Sequence, residues 1–408
     1  MKRKSIFTVG LILLVFFVIS FLTNILGALN PSIKQSFDLE FSSLGFMTLA
    51  FFSAYGIMSI PSGFLVEIYG EKKVMVSAFT LAAVGAFAFV IFPVFAVFLG
   101  SLFLIGTGMA MLQVAINPLL RVAGGKEHFA FNSVLGQFAF GLAGVGGPYL
   151  FAYLMSNRMG GDVVTDFLFG MVPGNMQWVS IYWVFGVIAL IMTIIIALYR
   201  FPAVELEEHE KSGAWAVYRS LFRNRTVIAY FLGIFCYVGF EQGVSFWISQ
   251  FLETYHGIDS NGRGAEAVGN YWGLLTIGCL LGLVMLRIID SKKVLGLFTI
   301  LAALSLALAL FGSVEVALIA FPAVGFFSSV MYSVVFSLAL NSFDAHHGSF
   351  AGILCAGIIG GAIAPFIVGG LSDLFNLRLG MLFNFLTLAY LFGISIWADP
   401  LVKNKIGL

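Results

Sequence analysis

Charge is what this chain has least of. Asp, Glu, Lys and Arg make up 10% of its 408 residues, where a soluble domain needs roughly a quarter to solvate its surface. That shortage excludes water as the main solvent and leaves lipid in its place. Cysteine is scarce as well. Cys236, Cys279 and Cys355 fall in three separate hydrophobic segments without metal-ligand spacing and read as small apolar packing residues. A Gly-rich phosphate loop ending in Lys-Ser or Lys-Thr is missing, which excludes ATP hydrolysis of that kind. His128, His346 and His347 are accompanied by no arrangement of Cys and carboxylates at useful ligand spacing and read as loop residues. With no nucleophile and base pair and no metal constellation in view, the chain is not expected to be an enzyme or to hold a cofactor. The net charge of +1 gives no reason to expect nucleic acid.

Hydrophobic residues, by contrast, make up 60% of the chain. Their runs are about 20 residues long, the length a helix needs to cross a hydrocarbon core of about 30 Å. Twelve helices are expected, near 5–29, 41–68, 74–92, 94–119, 130–155, 179–200, 225–253, 267–289, 293–312, 314–340, 349–374 and 378–398. Of the 21 Lys and Arg, all but Lys34, Arg158, Arg263 and Arg378 fall on one side of these segments. Positive charge stays in the cytoplasm, so both termini are expected there, in an inner membrane. The first segment follows a basic start, but its apolar part is too long for a signal peptide and it is expected to be retained.

The segment 201–224 carries Glu205, Glu207, Glu208 and Glu210 followed by Arg219 and Arg223, and reads as a solvated cytoplasmic linker. It divides the chain into a six-helix bundle at 1–200 and another at 225–408. Lys72-Lys73-Val74 recurs as Lys292-Lys293-Val294, and the small-residue run ending at Pro148 recurs as the run ending at Pro365. Two copies of one unit are therefore expected, with a solute site near the midplane between them and rocking of one half against the other. Glycine is concentrated in the paired fifth and eleventh helices, at Gly141, Gly144, Gly360 and Gly361 among others, which allows close backbone approach.

The run Gly63-Phe64-Leu65-Val66-Glu67-Ile68-Tyr69-Gly70-Glu71-Lys72-Lys73 resembles the loop signature of the major facilitator superfamily. The resemblance implies an all-α membrane protein with twelve transmembrane helices in two pseudo-symmetric six-helix bundles. It also implies a cytoplasmic gate at Glu67, Lys72 and Lys73. Ile68 stands where the family has an Arg, which weakens the expected latch. Closer resemblance is to the fucose permease branch, the symporters of fucose, glucose, galactose and related hexoses. It is carried by Asn117-Pro118, Gln137-Phe138, Gly147-Pro148, Tyr237-Val238-Gly239-Phe240-Glu241, Gly360-Gly361-Ala362-Ile363-Ala364-Pro365 and Ser372-Asp373. Asn24 and Gln137 match polar positions that the branch uses for substrate. Fucose-type proton symporters carry an acidic residue four positions before a Pro on the first helix and another four before Asn-Pro on the fourth. Here those places hold Gly27 and Gln113, so any coupling must use another group.

Glu241 is the candidate. It lies about sixteen residues into the seventh helix, beside Gln242, with Ser245 one turn on and on the same face. A carboxylate at membrane depth costs at least about 2.5–3.5 kcal/mol and therefore lines a cavity or has a partner. Glu241 reads either as a proton or sodium site or as a structural group that ties neighbouring helices together. Sugar recognition needs amides and carboxylates for the hydroxyl groups and an aromatic face for the ring. Asn24, Gln113, Asn117, Gln137, Gln242, Trp247 and Gln250 form the expected substrate set, with Asn270, Trp272, Tyr332, Asn341 and Asn384 as weaker candidates. The expected function is import of a monosaccharide or related polar solute by alternating access, coupled to sodium or proton. Uniport of sugars and efflux of amphipathic compounds are the alternatives, and a monomer suffices for any of the three.

Overall fold

The computed structural model describes residues 3–124, 129–157, 163–201, 215–343 and 347–400. Within them lie 12 helices long and apolar enough to cross a membrane. The first span is Arg3–Thr23 (α1) continued after a short break by Leu26–Phe37 (α2), and Phe41–Tyr69 (α3), Glu71–Ile91 (α4) and Phe95–Gly124 (α5) follow. Phe129–Ser156 (α6), a short surface helix Val163–Gly170 (α7) and Ser180–Leu198 (α8) complete the first half. Trp215–Leu221 (α9) belongs to the linker. The second half opens with Arg225–Ser245 (α10) and Ile248–His256 (α11), then Ala265–Ile288 (α12), Ser291–Phe311 (α13), Val314–Ser328 (α14) and Met331–Leu340 (α15). His347–Ala356 (α16), Gly360–Leu374 (α17), Leu377–Met381 (α18) and Phe383–Trp397 (α19) end it.

In lipid every backbone N–H and C=O must be satisfied within the protein, which is why the apolar runs are helical along most of their length. Polar side chains mark where helices start. Asn224 accepts the Thr226 N–H at 2.9 Å, and Asp290 accepts that of Lys292 at 2.9 Å. Gly70 turns the chain between α3 and α4 at φ +81°, a conformation a side chain would disfavour. The signature run therefore divides, with Gly63 to Tyr69 still helical and Lys72 and Lys73 in the first turn of α4.

Inside the first half α4 packs on α5 and α8, and α3 on α5; inside the second, α14 packs on α12 and α13, and α19 on α10 and α13. Two long seams join the halves, α3 against α17 and α6 against α12. At the end remote from the linker, hereafter the far end, α2 also packs on α11. Near the linker, the buried Tyr218 of α9 lies 6.2 Å from the Phe64 ring of α3 and beside Gly352 of α16.

Three details differ from the expected helices. The first span runs to Phe37, past the apolar stretch and over the polar Ser32, Lys34 and Gln35, because α2 has the other half to pack against. The seventh is broken at Phe246 and Trp247. The tenth and eleventh are each interrupted, between Ser328 and Met331 and at Gly357–Ile359.

Candidate functional site

The break between α1 and α2 places Asn24 at the seam between the halves. The side chain is buried, and its Nδ2 donates to Ser20 Oγ at 2.9 Å. Across from it on α6, Gly144 is flanked by the Trp272 side chain of α12 and by Asn24 Nδ2. A Cβ there would come within 3.1 Å of Trp272 and 3.5 Å of Asn24, so this glycine lets an amide from one half stand beside an indole from the other. Gln137 lies seven residues before Gly144, two turns toward the linker end and on the same face of α6. Gly144 is buried and Gln137 is exposed. The face of α6 that meets α12 is therefore buried at Gly144 and exposed at Gln137.

Trp272 leads to Glu241. Its ring lies 5.4 Å from that of Tyr271, whose hydroxyl reaches to 3.4 Å from the Glu241 carbonyl oxygen. The Glu241 side chain, half-buried, accepts a 2.6 Å hydrogen bond from the Tyr237 hydroxyl one turn earlier. The Tyr237 ring is 5.7 Å from that of Tyr332 on α15. Beside Glu241, the buried Gln242 packs on Gly361 of α17 and near Phe52 of α3, at the other seam. Amide, indole, phenol and carboxylate thus follow one another from the first half into the second. The Trp272 Nε1 is buried without a hydrogen-bond partner among the described residues, leaving a donor available to a polar ligand.

Other expected residues stand apart from this group. Trp247 is fully buried in the α10–α11 break, with its ring 5.9 Å from Phe41 of the first half. Gln250 donates to Glu253 at 3.2 Å and to Thr254 at 3.1 Å. At about 1.5 Å of rise per residue it lies roughly 13 Å beyond Glu241 along the helix. Gln113 is half-buried on α5. The side chains of Glu67 and Asn117 lie outside the described part of the structure, as do His128 and His346. Lys72 is half-buried and Lys73 exposed.

The weaker candidates divide in the same way. Asn384 Nδ2 bonds the Gly243 carbonyl at 3.1 Å and that of Met381 at 3.0 Å, tying α19 to α10. Asn270 Oδ1 accepts from Tyr149 of α6 at 2.9 Å across the seam. Asn341 is near Ser337 at 3.5 Å. Tyr237 and Tyr271 were not in the expected set. Tyr237 could have been found, since it precedes Glu241 by four residues and so shares its face. Tyr271 comes from a different helix and carries no such signal.

The family model described as Major Facilitator Superfamily matches residues 12–354. The chain is 31% identical over 391 residues to a glucose/galactose transporter of Brucella abortus, covering 93% of this chain and 90% of that protein. To the L-fucose-proton symporter of Escherichia coli it is 27% identical over 397 residues, covering 91% and 88%. The solved structure of the E. coli fucose:proton symporter FucP superposes with a TM-score of 0.70 at 24% identity, over 97% of this chain and 100% of that one. Twelve apolar spans in two halves, a seam-spanning polar site and these likenesses lead to one conclusion: the chain belongs to the major facilitator superfamily.

Proposed function

We propose that this protein carries a hexose of the glucose, galactose or fucose kind across the membrane by alternating access, with Glu241 as the ion-coupling group. The observation that carries the reading is the Glu241 carboxylate, more than three turns inside a span, with one phenol donating to it and aromatic rings leading from it to Asn24. Its surroundings fit a hexose: amides at Asn24 and Gln137 for hydroxyl groups and an aromatic face at Trp272 for the ring. The names of the Brucella and E. coli relatives point to the same substrates. Residues 1–200 and 225–408 would be the rocking bodies, joined by 201–224. With the lysine- and arginine-rich side in the cytoplasm, the exposed Gln137 would lie toward the inward-facing side.

Proton coupling suits the site. A single carboxylate with a phenol partner can take up and release a proton. The same relatives support this, since one is named a proton symporter.

The test is uptake of labelled glucose, galactose and fucose into proteoliposomes, with proton and sodium gradients imposed separately. Wild type is expected to accumulate one of them on a proton gradient. Glu241→Gln is expected to cut accumulation by more than about ten-fold while exchange at equal concentrations continues, because only the linkage between ion and sugar is lost. Tyr237→Phe, which removes one O–H, is expected to lie between the two. Uptake that ignores both gradients would make the protein a uniporter, and no uptake of any hexose would reject the substrate class.

A further inference from the structure

Helix α3 has no cap of its own. Glu40, in the N-cap position, makes no side-chain hydrogen bond to it, although the first N–H groups of a helix have no intrahelical acceptor. By contrast α10, α13, α14 and α18 are each capped by the side chain just before them, from Asn224, Asp290, Ser313 and Asn376. The N–H groups of α3 are met from the opposite bundle. Phe41 N–H donates to Asp373 Oδ1 at 2.9 Å and Ser42 N–H donates to Asp373 Oδ2 at 2.8 Å, across 332 residues of sequence. Asp373 stands at the end of α17, and its negative charge faces the positive end of the α3 dipole. More of the second half converges on Phe41: the Trp247 ring at 5.9 Å, and Gly369, where any Cβ would collide with the Phe41 carbonyl.

We propose that Asp373 is the far-end latch of the transport cycle, an N-cap shared between the two bundles that forms only while that end is closed. This rests on the alternating-access reading above. Opening the far end separates α3 from α17 and hands two N–H groups and a carboxylate back to water, so the cap favours the closed state alone.

Ser245 supplies a reporter, because it is buried where α10 meets Gly27 of α2 and opening of the far end uncovers it. The full chain with Ser245→Cys is placed in lipid nanodiscs, where both faces meet reagent, and labelled with an impermeant maleimide. The protein with its three native cysteines sets the baseline. Asp373→Ala is expected to raise the Ser245→Cys rate about five-fold, equivalent to roughly 1 kcal/mol at 1.4 kcal/mol per factor of ten, the ordinary size of a cap. Asp373→Asn keeps a neutral acceptor and is expected to give about two-fold; it decides alone should the alanine variant fail to assemble. Glu40→Ala, next to α3 but not bonded to it, is expected to change nothing. A second reporter, Gln137→Cys at the linker end, is expected to label more slowly in Asp373→Ala, which local fraying of α3 would not cause. Equal Ser245→Cys rates with and without Asp373, or an equal rise in Glu40→Ala, would overturn the latch. Labelling needs no sugar, so failure to find a substrate would leave this test standing.

Discussion

Glu241 lies inside the seventh span and His256 lies beyond it, at the end of the short helix that follows, and their surroundings assign them different work. Glu241 is enclosed by aromatic rings and has a phenol for a partner. His256 ends α11 at the far end, 6.0 Å from the Phe251 ring, with Arg378 stacked on the neighbouring Tyr255 ring at 4.5 Å. Burial, and after it the Arg378 guanidinium, hold the His256 imidazole below its ordinary 6.5, while Glu315 of α14 pulls the other way. The folded protein therefore binds this proton less readily than the unfolded chain does. Stability from this group is complete above the unfolded value and is lost as pH falls through it toward the folded one. The melting temperature of the purified protein is expected to decline as pH falls below the ordinary 6.5, and His256→Gln is expected to flatten that part of the curve. An unchanged slope in the variant would mean that another group sets the acid limit.

At the scale of the helices, Gly27 shows both what the sequence reveals and what it hides. Twelve spans were legible from hydrophobic length, and the place of Gly27 in the branch's pattern marked a missing carboxylate. That the same glycine is a crossing point was not legible, because the partner is the backbone of Ser245 and Phe246 in the other half. Asp373 was hidden for the same reason, since its bonds span 332 residues with no local pattern to betray them. The α10–α11 break was hidden because Phe246 and Trp247 are as apolar as the helix around them. Glu241 was legible as one charge inside an apolar run. At Gly27 a Cβ would collide with the Ser245 carbonyl, and it would do so only while the far end is closed. Overpacking of this kind costs about 1–3 kcal/mol, enough to shift the balance about five- to hundred-fold toward the open far end. Gly27→Val is therefore expected to insert normally, label rapidly at Ser245→Cys and transport poorly. Gly106 makes the control. Its Cβ would strike the Phe51 carbonyl inside the first half, so Gly106→Val is expected to lower the yield of folded protein without redistributing states.

In the molecule as a whole the two ends are unequal. Along the far end Asn30 Nδ2 bonds the Phe246 carbonyl at 2.9 Å, Ser32 Oγ bonds Asn261 Oδ1 at 2.5 Å, and Asp373 holds the start of α3. Toward the linker, Gln137 is exposed on the face that α6 turns to α12. A carrier that works by rocking must break the first set of contacts once in every cycle, whatever its substrate. Ser32 and Asn261 belong to different halves and already touch, so Ser32→Cys with Asn261→Cys provides a pair that a short thiol cross-linker can join without pulling the helices from their places. Cross-linked protein in proteoliposomes is expected to lose net uptake and exchange alike, because the site can no longer face the far side, and a cleavable linker is expected to restore both on reduction. A Gln137→Cys thiol in the same locked protein is expected to stay reactive throughout, since Gln137 is already exposed. Should the cross-linked carrier go on transporting at its former rate, the far end would not be a moving gate, and substrate would have to leave the site by another route between the bundles.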